Sequence, residues 1–249
     1  MINIEIRKFK DVDLKGGTII EGFPNIGLVS SIVATHLIDL LELDQICALE
    51  SDAFPPTSMI YAKKPKFPAR IYASSKYKIG VFLAEFTPSS YLHRPIALKL
   101  LEWCKEQECK RIIATEGLPQ PTECKTNSKN KMNTKVFAIG STDNTRKELN
   151  RLKIDQLEAG MLYGVSGVLL NEGRWQNFDV ITILADACPD IPDAIAAAKI
   201  LEVINVLLPD ITIESKPLYD QAKKFEKQIR DLRKQVEPLH PEPYRDMYR

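Results

Sequence analysis

The stretch Lys110–Gly117, "KRIIATEG", decides how the rest of the chain is read. Ile112, Ile113 and Ala114 follow one another with no polar residue between them, the pattern of a strand hidden on both faces. Such a strand belongs at the centre of a parallel sheet covered by helices. Working outward, other β-rich runs are "INIEIRKF" (2–9), "GTIIEGF" (17–23), "QICALE" (45–50), "SMIYA" (58–62), "ARIYAS" (69–74) and "KIGVFLAEF" (78–86). Downstream lie "TKVFAIGS" (134–141) and "DVITILADA" (179–187). Helical periodicity separates several of them: 26–43, "SSYLHRPIALKLLEWCKEQE" (89–108), "DNTRKELNRL" (143–152) and "IPDAIAAAKILEVINVLL" (191–208). In the second of these, Pro95 is expected to mark the first turn. Alternating strands and helices predict an α/β fold with a mainly parallel sheet flanked by helices on both faces. The polar, lysine-rich stretch 122–134 has no period and is expected to be an exposed loop.

Composition bounds the function. The net charge is +1 over 249 residues, so no global field draws the chain to nucleic acid or an anionic membrane. No stretch interleaves clustered Arg and Lys with aromatics as a nucleic-acid surface would. No apolar run reaches the roughly 20 residues needed to cross a bilayer. The five cysteines are odd in number and irregularly spaced, and the N-terminus alternates like a strand. Both features point to a reducing cytoplasm rather than to a disulfide framework.

The motifs that could carry chemistry are weak. "GFPNIG" (22–27) joins a strand to a helix, but Pro24 stands where a dinucleotide loop needs glycine. The residues read there as a tight structural turn. His36, His93 and His240 form no metal-spaced pair, and no CxxC occurs, so neither a metal nor a cofactor is expected. "YGVSG" (163–167) has the spacing G-x-S-G rather than G-x-S-x-G, which makes Ser166 a cap or packing residue rather than a nucleophile. Glu21, Glu85, Glu116 and Asp186 fall near predicted strand ends, where open α/β sheets gather active sites. They keep one enzymatic alternative open, a small-molecule phosphorylase or hydrolase, but no catalytic residue is assigned.

The character changes at Ser215. Leu218, Ala222, Phe225, Ile229, Leu232 and Val236 follow at spacings of 4, 3, 4, 3 and 4, a heptad seam. Ser215 suits an N-cap and Pro217 a first turn. The positions where charge would select a partner are all glutamine: Gln221, Gln228 and Gln235. Two readings are open, an amphipathic helix lying on its own domain and a projecting, oligomerising helix. In the second, Leu218, Phe225, Ile229, Leu232 and Val236 carry self-association. Beyond it, Pro238, Pro241 and Pro243 make a semi-rigid spacer that ends in Met247, Tyr248 and Arg249. The chain thus divides into an α/β body (1–214), a C-terminal helix (215–237) and a proline-rich tail (238–249).

"EGFPNIGLVSSIVATHLI", "ATEGLP", "GMLYGVSGVLLNEG" and "DACPDIPDAIAAAKILEVI" resemble, in that order, the landmark segments of the proteasome assembly chaperone family, especially its archaeal members. The resemblance covers roughly 18–208. It implies a nucleoside-phosphorylase-like fold without known catalysis, a homo-oligomer (a tetramer or pentamer), and ATP-independent assembly or activation of the proteasome core particle. Archaeal members of that family end in a hydrophobic residue, tyrosine and any residue, which maps here onto Met247, Tyr248 and Arg249. Those three residues would then enter pockets on the outer α-ring of the core particle. A general coiled-coil scaffold is the third reading, and the terminal triplet counts against it.

Overall fold

The computed structural model describes residues 2–119, 134–189 and 191–222. Its centre is an eight-stranded sheet in the order β1-β3-β6-β7-β2-β8-β10-β9. The strands are β1 (Glu5–Lys8), β2 (Thr18–Gly22), β3 (Asp44–Glu50), β6 (Ala69–Ser74), β7 (Ile79–Ala84), β8 (Arg111–Pro119), β9 (Val136–Gly140) and β10 (Asp179–Ala187). β7, β2, β8 and β10 run parallel in the middle. The margins are antiparallel: β6 returns on β7, β3 on β6, β1 on β3, and β9 lies against β10. A separate two-stranded sheet pairs β4 (Met59–Tyr61) with β5 (Lys64–Lys66).

Helices cover both faces. α1 (Val29–Leu40) and α5 (Ala194–Leu207) lie on one side, and α2 (Ser90–Glu106) and α4 (Gly164–Trp175) on the other. α3 (Asp143–Arg151) sits beside β9 and β10. Each face has its own core. Ile113, Ile181 and Ile183 meet Val33, Leu37 and Ile204 on the first, while Ile19, Phe82 and Ile112 meet Leu92, Ile96 and Leu169 on the second. Ile112 and Ile113 are therefore buried on opposite sides of one strand, as the run in β8 requires. Each such side chain contributes about 1.5–3 kcal/mol by leaving water.

Local chemistry sets the helix ends. Thr142 caps α3 by accepting from Thr145 N, and the Thr145 hydroxyl closes the reciprocal bond to Thr142 N. Asp193 caps α5 by accepting from Ala196 N. Pro95 lies one turn later than expected, inside α2, whose N-cap is Ser89. The helix begins before the proline because Leu92 is already needed against the core. β5 escaped the sequence reading because "KPK" has neither the length nor the β-branched content of a strand.

The cysteine reading needs one correction. Cys47, Cys104 and Cys109 are buried free thiols, but Cys188 is disulfide-bonded. Spacing along a chain does not show which thiols a fold brings together. Among the described residues, no helix is long and apolar enough to cross a membrane. The loop expected at 122–134 lies, apart from Thr134, outside the described residues, as do the seam positions from Phe225 onward and the tail.

Candidate functional site

Two places in the fold hold the residues that sequence reasoning singled out. The first is a polar centre at the carboxyl ends of the parallel strands. β2 and β8 are paired with Glu21 opposite Ala114, which puts Glu116 just beyond Glu21 at the same end. The chain then leaves β2 through Phe23–Asn25 into a short 3-10 turn, Ile26–Leu28, and enters α1. Gly27 and Leu28 are both left-handed, with φ of 63° and 50°. A side chain on Gly27 would press on the Cys188 carbonyl at 2.9 Å, so glycine is needed there for space as well as conformation.

This turn brings Asn25 over the strand ends. Its Nδ2 donates to Glu116 Oε2 at 2.8 Å and to the Thr115 carbonyl at 2.9 Å, while its Oδ1 accepts from Ser30 N at 3.2 Å. Ser30 and Thr115 hydroxyls lie 2.7 Å apart beneath it. From the opposite face, Ser166 in the first turn of α4 donates to Glu116 Oε1 at 2.5 Å and lies 3.3 Å from Glu21 Oε2. Glu21 Oε1 accepts from Phe23 N at 2.9 Å. Five segments, β2, β8, the 23–28 turn, α1 and α4, are thus tied at one point.

The electrostatics follow from burial. Glu21 is 1% exposed, and desolvation pushes its carboxyl up to about 8. Repulsion from Glu116 adds to the rise, and the hydrogen bond from Phe23 N opposes it. Burial also raises the Glu116 carboxyl, against donors from Ser166 and Asn25. Ser166 is 0% exposed, so its hydroxyl meets no solvent and no substrate in this state.

Of the four strand-end carboxylates, only Glu21 and Glu116 meet. Glu85 instead holds Arg70 in a two-pronged pair at 3.1 and 2.8 Å. Asp186 lies on β10 and makes none of the centre's bonds. Nothing in the sequence pattern singles out Asn25, Ser30, Thr115 or the position of Ser166 between two carboxyl groups. Their signal is faint: each is one polar residue at a strand or helix end.

The second place is the root of the C-terminal helix, helical over 216–222. Asn205 fixes the approach with two bonds to Ile213, Nδ2 to O at 2.5 Å and N to Oδ1 at 2.8 Å. His36 Nε2 contacts the Glu214 carbonyl at 2.7 Å. Tyr219 Oη donates to Glu202 Oε1 at 2.6 Å, and Lys199 lies over the Tyr219 ring. Leu218 is 4% exposed and belongs to the core of its own subunit, beside α1 and α5. The seam therefore starts as an intrachain contact. Ala222, the next seam position, is half-buried. Phe225, Ile229, Leu232, Val236, Met247, Tyr248 and Arg249 lie outside the described residues.

The fold and these two places define a three-layer α/β body with a closed polar centre and a helix rooted on its flank. Residues 19–233 match the PAC2 family, and the chain belongs to it. The crystal structure of Pyrococcus furiosus PbaA, an archaeal homolog of proteasome-assembly chaperone, superposes with a TM-score of 0.84 at 28% identity, covering 94% of this chain and 93% of that one. Pyrococcus furiosus PbaB, an archaeal proteasome activator, has the same fold, with a TM-score of 0.76 at 23% identity over 94% and 100% of the two chains. An uncharacterized Methanocaldococcus jannaschii protein is 24% identical over 224 residues, 90% of this chain and 88% of its own.

Proposed function

We propose that this protein is a cytoplasmic, self-associating factor that assembles or activates the proteasome core particle without ATP. Its docking element is the terminal triplet Met247, Tyr248 and Arg249, bound to the outer α-ring. The observation that carries this reading is the likeness to PbaA over nearly the whole length of both chains. Met247 fills an apolar pocket, Tyr248 buries its ring while its hydroxyl finds a polar partner, and the Arg249 carboxylate meets a cation or backbone donors.

One such tail buries little surface and binds weakly. Several tails on one oligomer gain about 10²–10⁴ in avidity, which is why self-association matters. In this reading Leu218 anchors the helix to its own body, and Phe225, Ile229, Leu232 and Val236 join it to other copies as a tetramer or pentamer.

The test compares full-length protein with a chain ending at Asp246 in stimulating peptide hydrolysis by a proteasome core particle. Stimulation by the full chain alone supports docking through the triplet. Equal stimulation by both, or by neither, overturns it.

The enzymatic alternative draws on one observation, the polar centre at the carboxyl ends of parallel strands. The burial of Glu21 and Ser166 weighs against it. Turnover of a nucleoside with phosphate would favour that alternative, and a flat screen removes its support.

A further inference from the structure

We propose that Glu21, Ser166 and Glu116 form a one-proton latch that holds the first turn of α4 on the ends of β2 and β8, and that losing the proton frees the residues leading into α4. A serine hydroxyl has one hydrogen to donate. Ser166 Oγ touches two carboxyl oxygens, Glu116 Oε1 at 2.5 Å and Glu21 Oε2 at 3.3 Å. The single hydrogen serves the nearer contact, so Glu21 Oε2 faces a lone pair of the hydroxyl. That contact is a hydrogen bond only if Glu21 brings a hydrogen of its own. Its other oxygen, Oε1, already accepts from Phe23 N, which leaves Oε2 to carry it.

The negative charge belongs on Glu116. That carboxylate receives Asn25 Nδ2 and Ser166 Oγ and stands at the N-terminal turn of α4, where free amides favour an anion. The latch then reads Glu21 Oε2–H to Ser166 Oγ, and Ser166 Oγ–H to Glu116 Oε1. Among the described residues, charged groups on the surrounding elements do not supply a counter-ion. Arg70 of β6 is committed to Glu85 at the end of β7, and Arg94 of α2 to Glu172 of α4. His93 of α2 contacts the Pro88 carbonyl, and the residues that α1 contributes, Ser30 and its neighbours, carry no charge. Burial and the neighbouring carboxylate both favour the protonated form of Glu21.

When the proton leaves to water, two buried carboxylates share one hydroxyl hydrogen, and their repulsion falls on Ser166. Ser166 is in the first turn of α4, directly after residues 158–163, which have no regular structure. That stretch displays Met161 and Tyr163, 72% and 77% exposed. The latch therefore decides whether this apolar pair is held at the carboxyl edge of the sheet or released from it.

The test uses the full chain. Infrared spectra at neutral pH should show the carbonyl stretch of a protonated carboxylic acid, lost in Glu21→Gln and lost in the wild type as the pH passes about 8. Hydrogen exchange over 158–169 should accelerate at the same pH beyond the ordinary rise with base, and stay flat in Glu21→Gln. A glutamine there can still donate to Ser166 and accept from Phe23 N. In Glu116→Gln, removal of the neighbouring charge should shift the acid band's titration to lower pH. That readout serves if Glu21→Gln does not fold. A wild type without the acid band, a band that survives in Glu21→Gln, or a titration unmoved by Glu116→Gln overturns the proposal.

Discussion

Tyr219 Oη and Glu202 Oε1 lie 2.6 Å apart, joining the first turn of the C-terminal helix to the middle of α5. Burial and the bond to Glu202 both raise the Tyr219 phenol above its ordinary range, so it remains a donor at neutral pH. A bond to a half-exposed carboxylate is worth about 1 kcal/mol. Tyr219→Phe should cost that much in urea unfolding and should speed amide exchange over 213–222. Unchanged exchange there would show that the bond does not hold the root.

Leu218 and the later seam residues should separate in their effects. Leu218→Ala empties a buried site in the body and should cost about 2–4 kcal/mol in unfolding. Phe225→Lys with Ile229→Lys should lower the solution mass of the protein and leave the body's unfolding midpoint nearly unchanged. A loss of body stability as large as that of Leu218→Ala would place those residues on the same subunit instead. Light scattering and thermal unfolding on the same samples decide between the two.

Arg70 is 2% exposed and makes a forked pair with Glu85. Arg70→Met leaves a partly buried carboxylate without its partner and should cost about 3–5 kcal/mol. Arg70→Met with Glu85→Leu should recover most of that loss. If the double variant is no better than the single one, the stabilisation came from Arg70's contacts with Tyr72 and the Phe67 carbonyl rather than from the pair.

The pH dependence has a definite sign. Glu21 has a folded-state carboxyl raised from 4.5 to about 8. The folded chain then binds the proton more tightly than the unfolded chain, so this contribution is complete below the unfolded value and declines as pH rises toward the folded one. The thermal midpoint of the wild type, relative to Glu21→Gln, should fall between about pH 5 and about pH 8 and level off above. A difference that does not vary with pH would show that Glu21 does not titrate differently in the two states.

Gly117 tests the seating of the 23–28 turn. A Cβ there would come within 2.3 Å of the Ile26 carbonyl, which is backbone and cannot swing aside. Gly117→Ala should cost about 1–3 kcal/mol and weaken the Asn25 contacts to Glu116 and Thr115. An alanine variant as stable as the wild type would mean that the turn tolerates displacement.

What sequence could and could not reveal divides along physical lines. "DVITILADA" coincides with β10 because a doubly buried strand states its length in its own composition. "KRIIATEG" marks β8 for the same reason. The antiparallel margins were less legible, since alternation fits either direction of pairing and only the register resolves it. Glu21 and Glu116 were recognised as strand-end carboxylates, but their meeting depends on the offset between β2 and β8 and on the tilt of α4 that delivers Ser166. No local pattern encodes such an offset. The C-terminal seam was legible as a period. The period alone could not say that its first member, Leu218, faces its own core.

The order of contacts at the root has a directional consequence. As the chain advances from Ile213 to Tyr219, its partners on α5 recede from Asn205 to Glu202 and Lys199. The outgoing helix thus runs back against α5, and these contacts with the body set its bearing over 216–222. Lengthening the chain beyond Ala222 would change its reach while leaving its heading at departure the same.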